Sequence, residues 1–350
     1  MTYNLECPVT GYKDTDVVTM AHGSGGESMQ KLISEMFAKA YPDLQSDQDA
    51  ACVYIAEPKF ISFTTDSFVI DPIFFPGGDI GSLAVHGTVN DLAMRGSQPK
   101  YISIAFILEE GFPMKDLERI VHSIAEASAK AGVKVVTGDT KVVGRGQGHG
   151  IYINTSGIGE IRAITKIVPD VQNVGIGHKI IVSGDIGRHG MAIMSVRNGM
   201  ELDPPILSDS APLNGMVREL YYDYINPLCM RDATRGGVAA VLNEIARSAK
   251  LHIRIEEEKV PVDENVRGLA EILGLDPLHI ANEGRFVLFV KPEDAEKAVS
   301  ILQKFEGGEK AAIIGEVVAE HEKGLVTAKT LLGSEKPIHM PVGEILPRIC

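Results

Sequence analysis

The sequence lacks the common marks of a nucleotide-binding fold, of a secreted chain and of a membrane chain. It holds no G-x-x-x-x-G-K-S/T loop and no complete G-x-G-x-x-G fingerprint, so neither a P-loop nor a dinucleotide fold is indicated. No uninterrupted apolar stretch is long enough to cross a bilayer. Residues 1–12 lack the basic segment and apolar run of a signal peptide. Cysteine is scarce: Cys7, Cys52, Cys229 and Cys350 are far apart and form no C-x-x-C pair for zinc or redox work. These features fit a reducing cytosol. Positive charge is also short, with 34 Lys and Arg against 47 Asp and Glu and a net charge of -13. That balance disfavours a general nucleic-acid or anionic-membrane surface, although an acidic protein still binds polyanions through metal ions.

What remains is an ordinary globular composition, 44% hydrophobic and 23% charged. A chain of 350 residues suggests two domains. Both halves repeat a theme of strand, glycine-rich loop and helix. His22-Gly-Ser-Gly-Gly precedes apolar residues at helical spacing; it reads either as a flexible entry loop or as closely spaced N–H groups that suit an anion, with His22 an acid-base group or a surface histidine. An alternating strand ends at Asp66, and a helix over 80–95 carries Asn90 and Asp91 amid Ala, Val, Leu and Gly. Burying those two unpaired is costly, so they call for an explanation. A strand at 101–108, an amphipathic helix at 114–131 stopped by Gly132, and strands at 133–137 and 151–157 complete the first half. Between the last two strands, residues 144–150 read as a mobile loop. A boundary falls near 165–177, and the second half carries Gly187-Arg-His-Gly190, Thr234-Arg-Gly-Gly237 at a helix start and Ala281-Asn-Glu-Gly-Arg285 before a strand.

The chemistry is carried by carboxylates. Asp66, Asp91 and Asp139 each sit where a strand or helix meets a glycine-rich turn, and Asp49 joins the set. Carboxylates without matching basic residues repel one another unless a cation neutralises them, and magnesium held by carboxylates and phosphate oxygens is the economical solution. For any one of them a cap or turn role is the alternative. Lys141, two residues after Asp139, is the cation best placed to meet phosphate, or else an exposed lysine. At the far end, Cys350 follows two prolines that remove backbone donors, which makes it either a swinging nucleophile or an incidental cysteine.

The ordered series His22-Gly-Ser-Gly-Gly, Thr64-Thr-Asp-Ser67, Phe75-Pro-Gly-Gly-Asp-Ile-Gly81, Asn90-Asp-Leu, Thr137-Gly-Asp-Thr-Lys-Val-Val143, Asp232-Ala-Thr-Arg-Gly-Gly237, Asn282-Glu-Gly284 and Pro347-Arg-Ile-Cys350 spans essentially the whole chain. It resembles the HypE family, the carbamoyl dehydratases of NiFe-hydrogenase maturation. The middle motifs are shared with a wider ATP-using superfamily that includes aminoimidazole ribonucleotide synthetase, thiamine-monophosphate kinase and selenophosphate synthetase. The terminal Pro-Arg-Ile-Cys singles out the hydrogenase branch.

The resemblance implies an α/β plus α+β, aminoimidazole ribonucleotide synthetase-like fold. Its parts are an ATP-binding and dimerisation domain at 1–165, an α+β domain at 166–330 and a flexible tail at 331–350 that carries Cys350. The N-terminal sheet forms a barrel with that of a second copy. The carbamoyltransferase HypF loads Cys350, ATP and Mg2+ convert the thiocarbamate to a thiocyanate, and HypC with HypD receives the cyanide. The implied catalytic residues are Cys350, Lys141, Glu283 as base, and His22. Asp49, Asp66, Asp91 and Asp139 hold the metal and, with Asn90, Thr140, Thr234, Arg235 and Gly236, the nucleotide. The tail, about twenty residues, reaches on the order of 60 Å when extended. Two rival readings are a superfamily kinase or synthetase acting on a free small molecule, and a non-catalytic carrier that binds ATP only to switch shape.

Overall fold

The computed structural model describes residues 12–13, 15–23, 27–45, 51, 53–55, 60–161, 164–330 and 332–340. A first helical region runs through α1 (Glu27–Leu32), a π turn (Ile33–Phe37) and α2 (Ala38–Ala40). The first sheet follows: β1 (Phe60–Phe68), β4 (Gln98–Glu109), β5 (Lys134–Val143) and β6 (Ile151–Ile161) pair in the order β1-β6-β4-β5. The short hairpin β2 (Phe74–Phe75) and β3 (Gly78–Asp79) leads into α3 (Ile80–Met94), and α4 (Met114–Ala131) joins β4 to its parallel neighbour β5.

Helix α3 is apolar on all sides because it is covered on all sides, the expected state of an interior helix. Asp79 starts it by accepting the Ser82 N–H at 2.9 Å, while Ser82 Oγ accepts the Asp79 N–H at 3.1 Å, a reciprocal cap. One flank packs on the sheet so closely that a Cβ at Gly87 would fall 2.9 Å from the Phe68 ring. Another meets α4, where a Cβ at Gly81 would lie 2.6 Å from the Ile120 carbonyl. Its C-terminal end, Ala93 and Met94, enters an apolar cluster of the second half with Leu213, Leu220 and Phe286. The two halves therefore share buried surface along this one helix.

The second sheet among the described residues runs β13-β12-β9-β11-β7-β10-β8. Its strands are β7 (Lys179–Val182), β8 (Cys229–Asp232), β9 (Leu251–Glu256), β10 (Phe286–Val290), β11 (Ala312–Glu320), β12 (Leu325–Lys329) and β13 (Glu335–Pro337). Helices α5 (Arg188–Arg197), α6 (Asn214–Tyr222), α7 (Gly237–Ala249), α8 (Glu264–Leu273) and α9 (Ala295–Leu302) pack around it. Strand β10, between β7 and the edge strand β8, is Phe-Val-Leu-Phe-Val and buried at every position, so both its faces are covered.

Two expectations need correcting. The chain does not leave the core near residue 330: β13 pairs with β12, Ile338 is buried, and Asn243 Nδ2 donates to the Ile338 carbonyl at 3.2 Å. The loop at 144–150 is tied down, because the Glu109 carboxylate accepts the Gly146 N–H at 2.6 Å and the Gly150 N–H at 3.0 Å. A side chain from outside the segment supplied the order that its glycines withhold.

Candidate active site

The sheet register decides which carboxylates meet. Asp66 pairs with Thr155, Thr155 with Ile104, and Ile104 with Gly138, so these four share the face turned toward α3. On that face Thr64 Oγ1 donates to Asp91 Oδ2 at 2.7 Å, which ties the middle of β1 to the last turn of α3. Opposite them stand residues of the second half. Asp232 ends β8, Arg235 lies in the loop before α7, and Glu283 is buried just before β10.

The electrostatics mark these groups as one cluster. Burial pushes the Asp66 carboxyl up, the Ser67 N–H pulls it back, Asp91 raises it further and Arg235 lowers it. Asp91 is raised by burial against the Thr64 hydroxyl and Arg231. Asp232 is pushed up to about 7, first by burial and then by Asp91, with Arg231 opposing. Glu283 is raised well above the usual carboxylate range by burial, then by Asp209, Asp232 and Asp66, with Arg235 opposing. Like charges gathered in a cleft resist ionising together, and a carboxyl held partly protonated near neutrality is suited to proton transfer. Behind Asp91 and Asp232 opens a cavity of about 280 Å³ that also touches Arg95, Asp170, Cys229 and Arg231. Cys229 itself is buried and burial pushes its thiol up to about 12, so it is an inert packing residue.

The shelf carrying Glu283 is built from backbone bonds. Asn282 Oδ1 accepts the Gly187 N–H at 2.7 Å and its Nδ2 donates to the Ala233 carbonyl at 2.8 Å. Below it Arg285 forms a buried pair with Asp185 at 2.8 Å and donates through Nε to the Asp185 carbonyl at 2.7 Å. Gly236 and Gly237 both have positive φ, and a Cβ at Gly237 would fall 2.5 Å from the Leu278 carbonyl, so only glycine lets α7 start against this shelf.

Family models match both halves: AIR synthase related protein, N-terminal domain, over 47–161 and C-terminal domain over 175–327. The carbamoyl dehydratase HypE of Azotobacter vinelandii is 45% identical over 95% of this chain and 97% of its own. The crystal structure of hydrogenase maturation protein HypE in complex with ATP superposes with a TM-score of 0.90 at 44% identity, covering 95% of this chain and 99% of that one. The chain belongs to the HypE family. A structure of a HypE–HypF complex also matches, with a TM-score of 0.76 at 46% identity over 90% of this chain and 100% of that one.

Against this HypE framework the expected site residues fall into two groups. Asp66, Asp91, Arg235 and Glu283 converge on the cleft. Asp139 and Lys141 do not. Asp139 is one position past Gly138, so its side chain points to the opposite face, and two strands lie between it and Asp66, three spacings or about 14 Å at the usual strand separation. There Lys141 Nζ lies 3.8 Å from Asp139 Oδ2, both well exposed. A single four-carboxylate cluster within one chain is therefore excluded for the described members. His22 belongs to this second group: it caps its own turn, taking the Thr19 N–H on Nδ1 at 3.0 Å, and the adjoining Gly23 packs against Val142. Thr140 faces inward and is buried. Asp49 and Cys350 lie outside the described residues.

Asn90 corrects the expectation of a nucleotide ligand. Its Oδ1 accepts the Leu213 N–H at 2.8 Å, and its Nδ2 donates to the carbonyls of Ala211 at 3.1 Å and Glu283 at 3.3 Å. Its buried amide joins the halves instead. In the loop at 187–190, Asn282 takes the Gly187 N–H at 2.7 Å and Asp209 takes the His189 N–H at 3.1 Å. Thr234 closes its own turn, its carbonyl accepting the Gly237 N–H at 2.9 Å, beside Gly236. Sequence reasoning overlooked Asp232 and Asp209. Asp232 opens the Asp-Ala-Thr-Arg-Gly-Gly string and was legible there, whereas Asp209 sits in a Ser-Asp-Ser stretch with no local signal.

Proposed function

We propose that the chain dehydrates a carbamoyl group carried as a thiocarbamate on Cys350 to a thiocyanate, with ATP converted to ADP and phosphate, and so supplies cyanide ligands for the iron centre of NiFe-hydrogenase. HypF is the donor of the carbamoyl group, and HypC with HypD the acceptor of the cyanide. The working parts are 1–165 and 166–330, with β13 and Ile338 joined to the second of them and Cys350 beyond, in a cytoplasmic enzyme. The observation that carries this reading is the acidic cleft in which Asp66 and Asp91 face Asp232 and the buried Glu283.

The root of the tail supports it. His279 Nε2 contacts the His339 carbonyl at 3.3 Å, on the shelf that runs through Ile280 to Asn282 and Glu283. From residue 340, ten further residues extend about 35 Å. That reach is shorter than the one a tail freed at residue 331 would have.

Amide oxygen leaves poorly as hydroxide. ATP, as cosubstrate, supplies the phosphoryl group with which that oxygen departs as phosphate. Glu283 takes one N–H proton of the carbamoyl group and the other leaves to the departing phosphate, so that the C–O bond breaks as the nitrile forms. Arg235 offsets charge at the mouth of the cleft, and the rigid shelf under Asn282 holds the base in place.

Magnesium fits this donor set in one particular way. Among the described residues no three acidic, His or Cys side chains stand close enough to hold an ion unaided. Asp66 and Asp91, with Asp232 beside them, offer the one or two carboxylates that magnesium takes when phosphate oxygens and water fill its other positions.

A homodimer completes the picture. Helices cover one face of the first sheet, and on the other Phe63 is 68% exposed and Ile61 54%, beside Ile107. Such a bare apolar face suits a second copy, closing a barrel, with Asp139 and Lys141 of each chain presented toward its neighbour. The test is direct: incubation of the carbamoylated full chain with ATP and magnesium should lower its intact mass by one water. An unchanged mass would leave the protein a carrier for another catalyst.

A further inference from the structure

Residues 203–213 form a strap that touches both halves, and the side chain of Asp209 within it is fully covered. Its Oδ1 accepts the N–H groups of His189 at 3.1 Å and Glu283 at 3.3 Å, and its Oδ2 that of Gly284 at 3.2 Å. The serines on either side fasten the strap. Ser208 Oγ bonds His189 Nδ1 at 2.8 Å in the second half, and Ser210 Oγ bonds His86 Nδ1 at 3.0 Å on α3. The Ser208 N–H also donates to the Pro76 carbonyl at 2.8 Å. Contact with the shelf is immediate: a Cβ at Gly284 would fall 1.8 Å from the Asp209 carbonyl oxygen.

We propose that Asp209 is the positioning residue for Glu283, gripping the N–H groups of Glu283 and Gly284 while Asn90 grips the Glu283 carbonyl from the other side. This rests on the assignment of Glu283 as the base. Holding a residue by both its N–H and its C=O fixes the direction of its Cα–Cβ bond, and with it the place of a carboxyl group that has no exposed alternative. The first grip reaches α3 through the strap and the second comes from α3 directly, so the base stands in position only while the two halves are latched. The Asp209 charge contributes as well, being the largest influence after burial that raises Glu283. An asparagine in its place would turn an NH2 group toward N–H donors and lose at least one of the three bonds.

The experiment is single-turnover loss of water from the carbamoylated full chain, with the ATP concentration for half-maximal rate measured alongside. Asp209→Asn should slow conversion on the order of 10²-fold, the penalty of a base displaced by about an ångström, with the ATP dependence unchanged. Asn90→Ala should show the same split with a smaller slowing. An unchanged rate in folded Asp209→Asn overturns the proposal, as does slowing accompanied by an equal loss of ATP affinity, which denotes general damage. If Asp209→Asn does not fold, Asn90→Ala decides on the same two criteria. Glu283→Gln separates the underlying assignment: full conversion by that variant removes Glu283 as the base, whereas lost conversion beside a normal rate in Asp209→Asn removes only the positioning role.

Discussion

Replacing Asp232 with asparagine isolates the electrostatic strain of the cleft. In the folded chain without metal or nucleotide, this carboxyl is pushed up to about 7, chiefly by burial and then by Asp91. In the unfolded chain it ionises near 3.9. Between those values the native state binds the extra proton, so the stability this group contributes is full at acid pH and falls as pH rises through about 7. A displacement from 3.8 to about 7 corresponds to about 4 kcal/mol at 1.36 kcal/mol per pH unit. Asp232 is partly exposed, and solvent screening brings this to about 1–3 kcal/mol. The neutral isostere removes the whole term. In chelator-treated protein at pH 8, Asp232→Asn should therefore melt roughly 1–4 °C above wild type, and the two should coincide near pH 4. Differential scanning calorimetry at a series of pH values makes the comparison. Equal melting temperatures at pH 8, or a gap that widens on acidification, would refute the reasoning.

Two other outcomes follow from the geometry. Phe63→Glu places a charge on the bare sheet face and should convert a dimer to monomer in sedimentation analysis, with turnover reduced because Asp139 and Lys141 of a neighbour are no longer presented; a fully active monomer would rule out a shared site. A chain ending at residue 340 should retain wild-type stability while losing turnover, whereas one ending at 330 should also lose about 1–3 kcal/mol, from the buried Ile338 and the β12–β13 pairing, in urea titration.

Much of the site was legible locally because its signals are short-range. Strand alternation marked the strand that carries Asp66, which runs on to Phe68, the run of Ala, Val, Leu and Gly marked the helix that holds Asn90 and Asp91, and the glycines at 236 and 237 marked the start of α7. Motif order across the chain identified the family, since it needs only residue types in sequence. The division of the carboxylates was not legible. Asp66 and Asp139 both end strand-and-glycine motifs, and only the register, set by pairing between distant strands, turns one toward the cleft and the other away. The role of Asn90 was hidden for the same reason, as its partners at 211, 213 and 283 lie more than a hundred residues away. Asp209 was invisible because a carboxylate among serines in a loop has no period and no motif; its meaning is three N–H groups delivered by other elements. Local chemistry thus determined which residues were available and what family they announce. The tertiary structure decided which of them face one another, because like charges come within reach only where pairing register and the contact between the two halves bring them together.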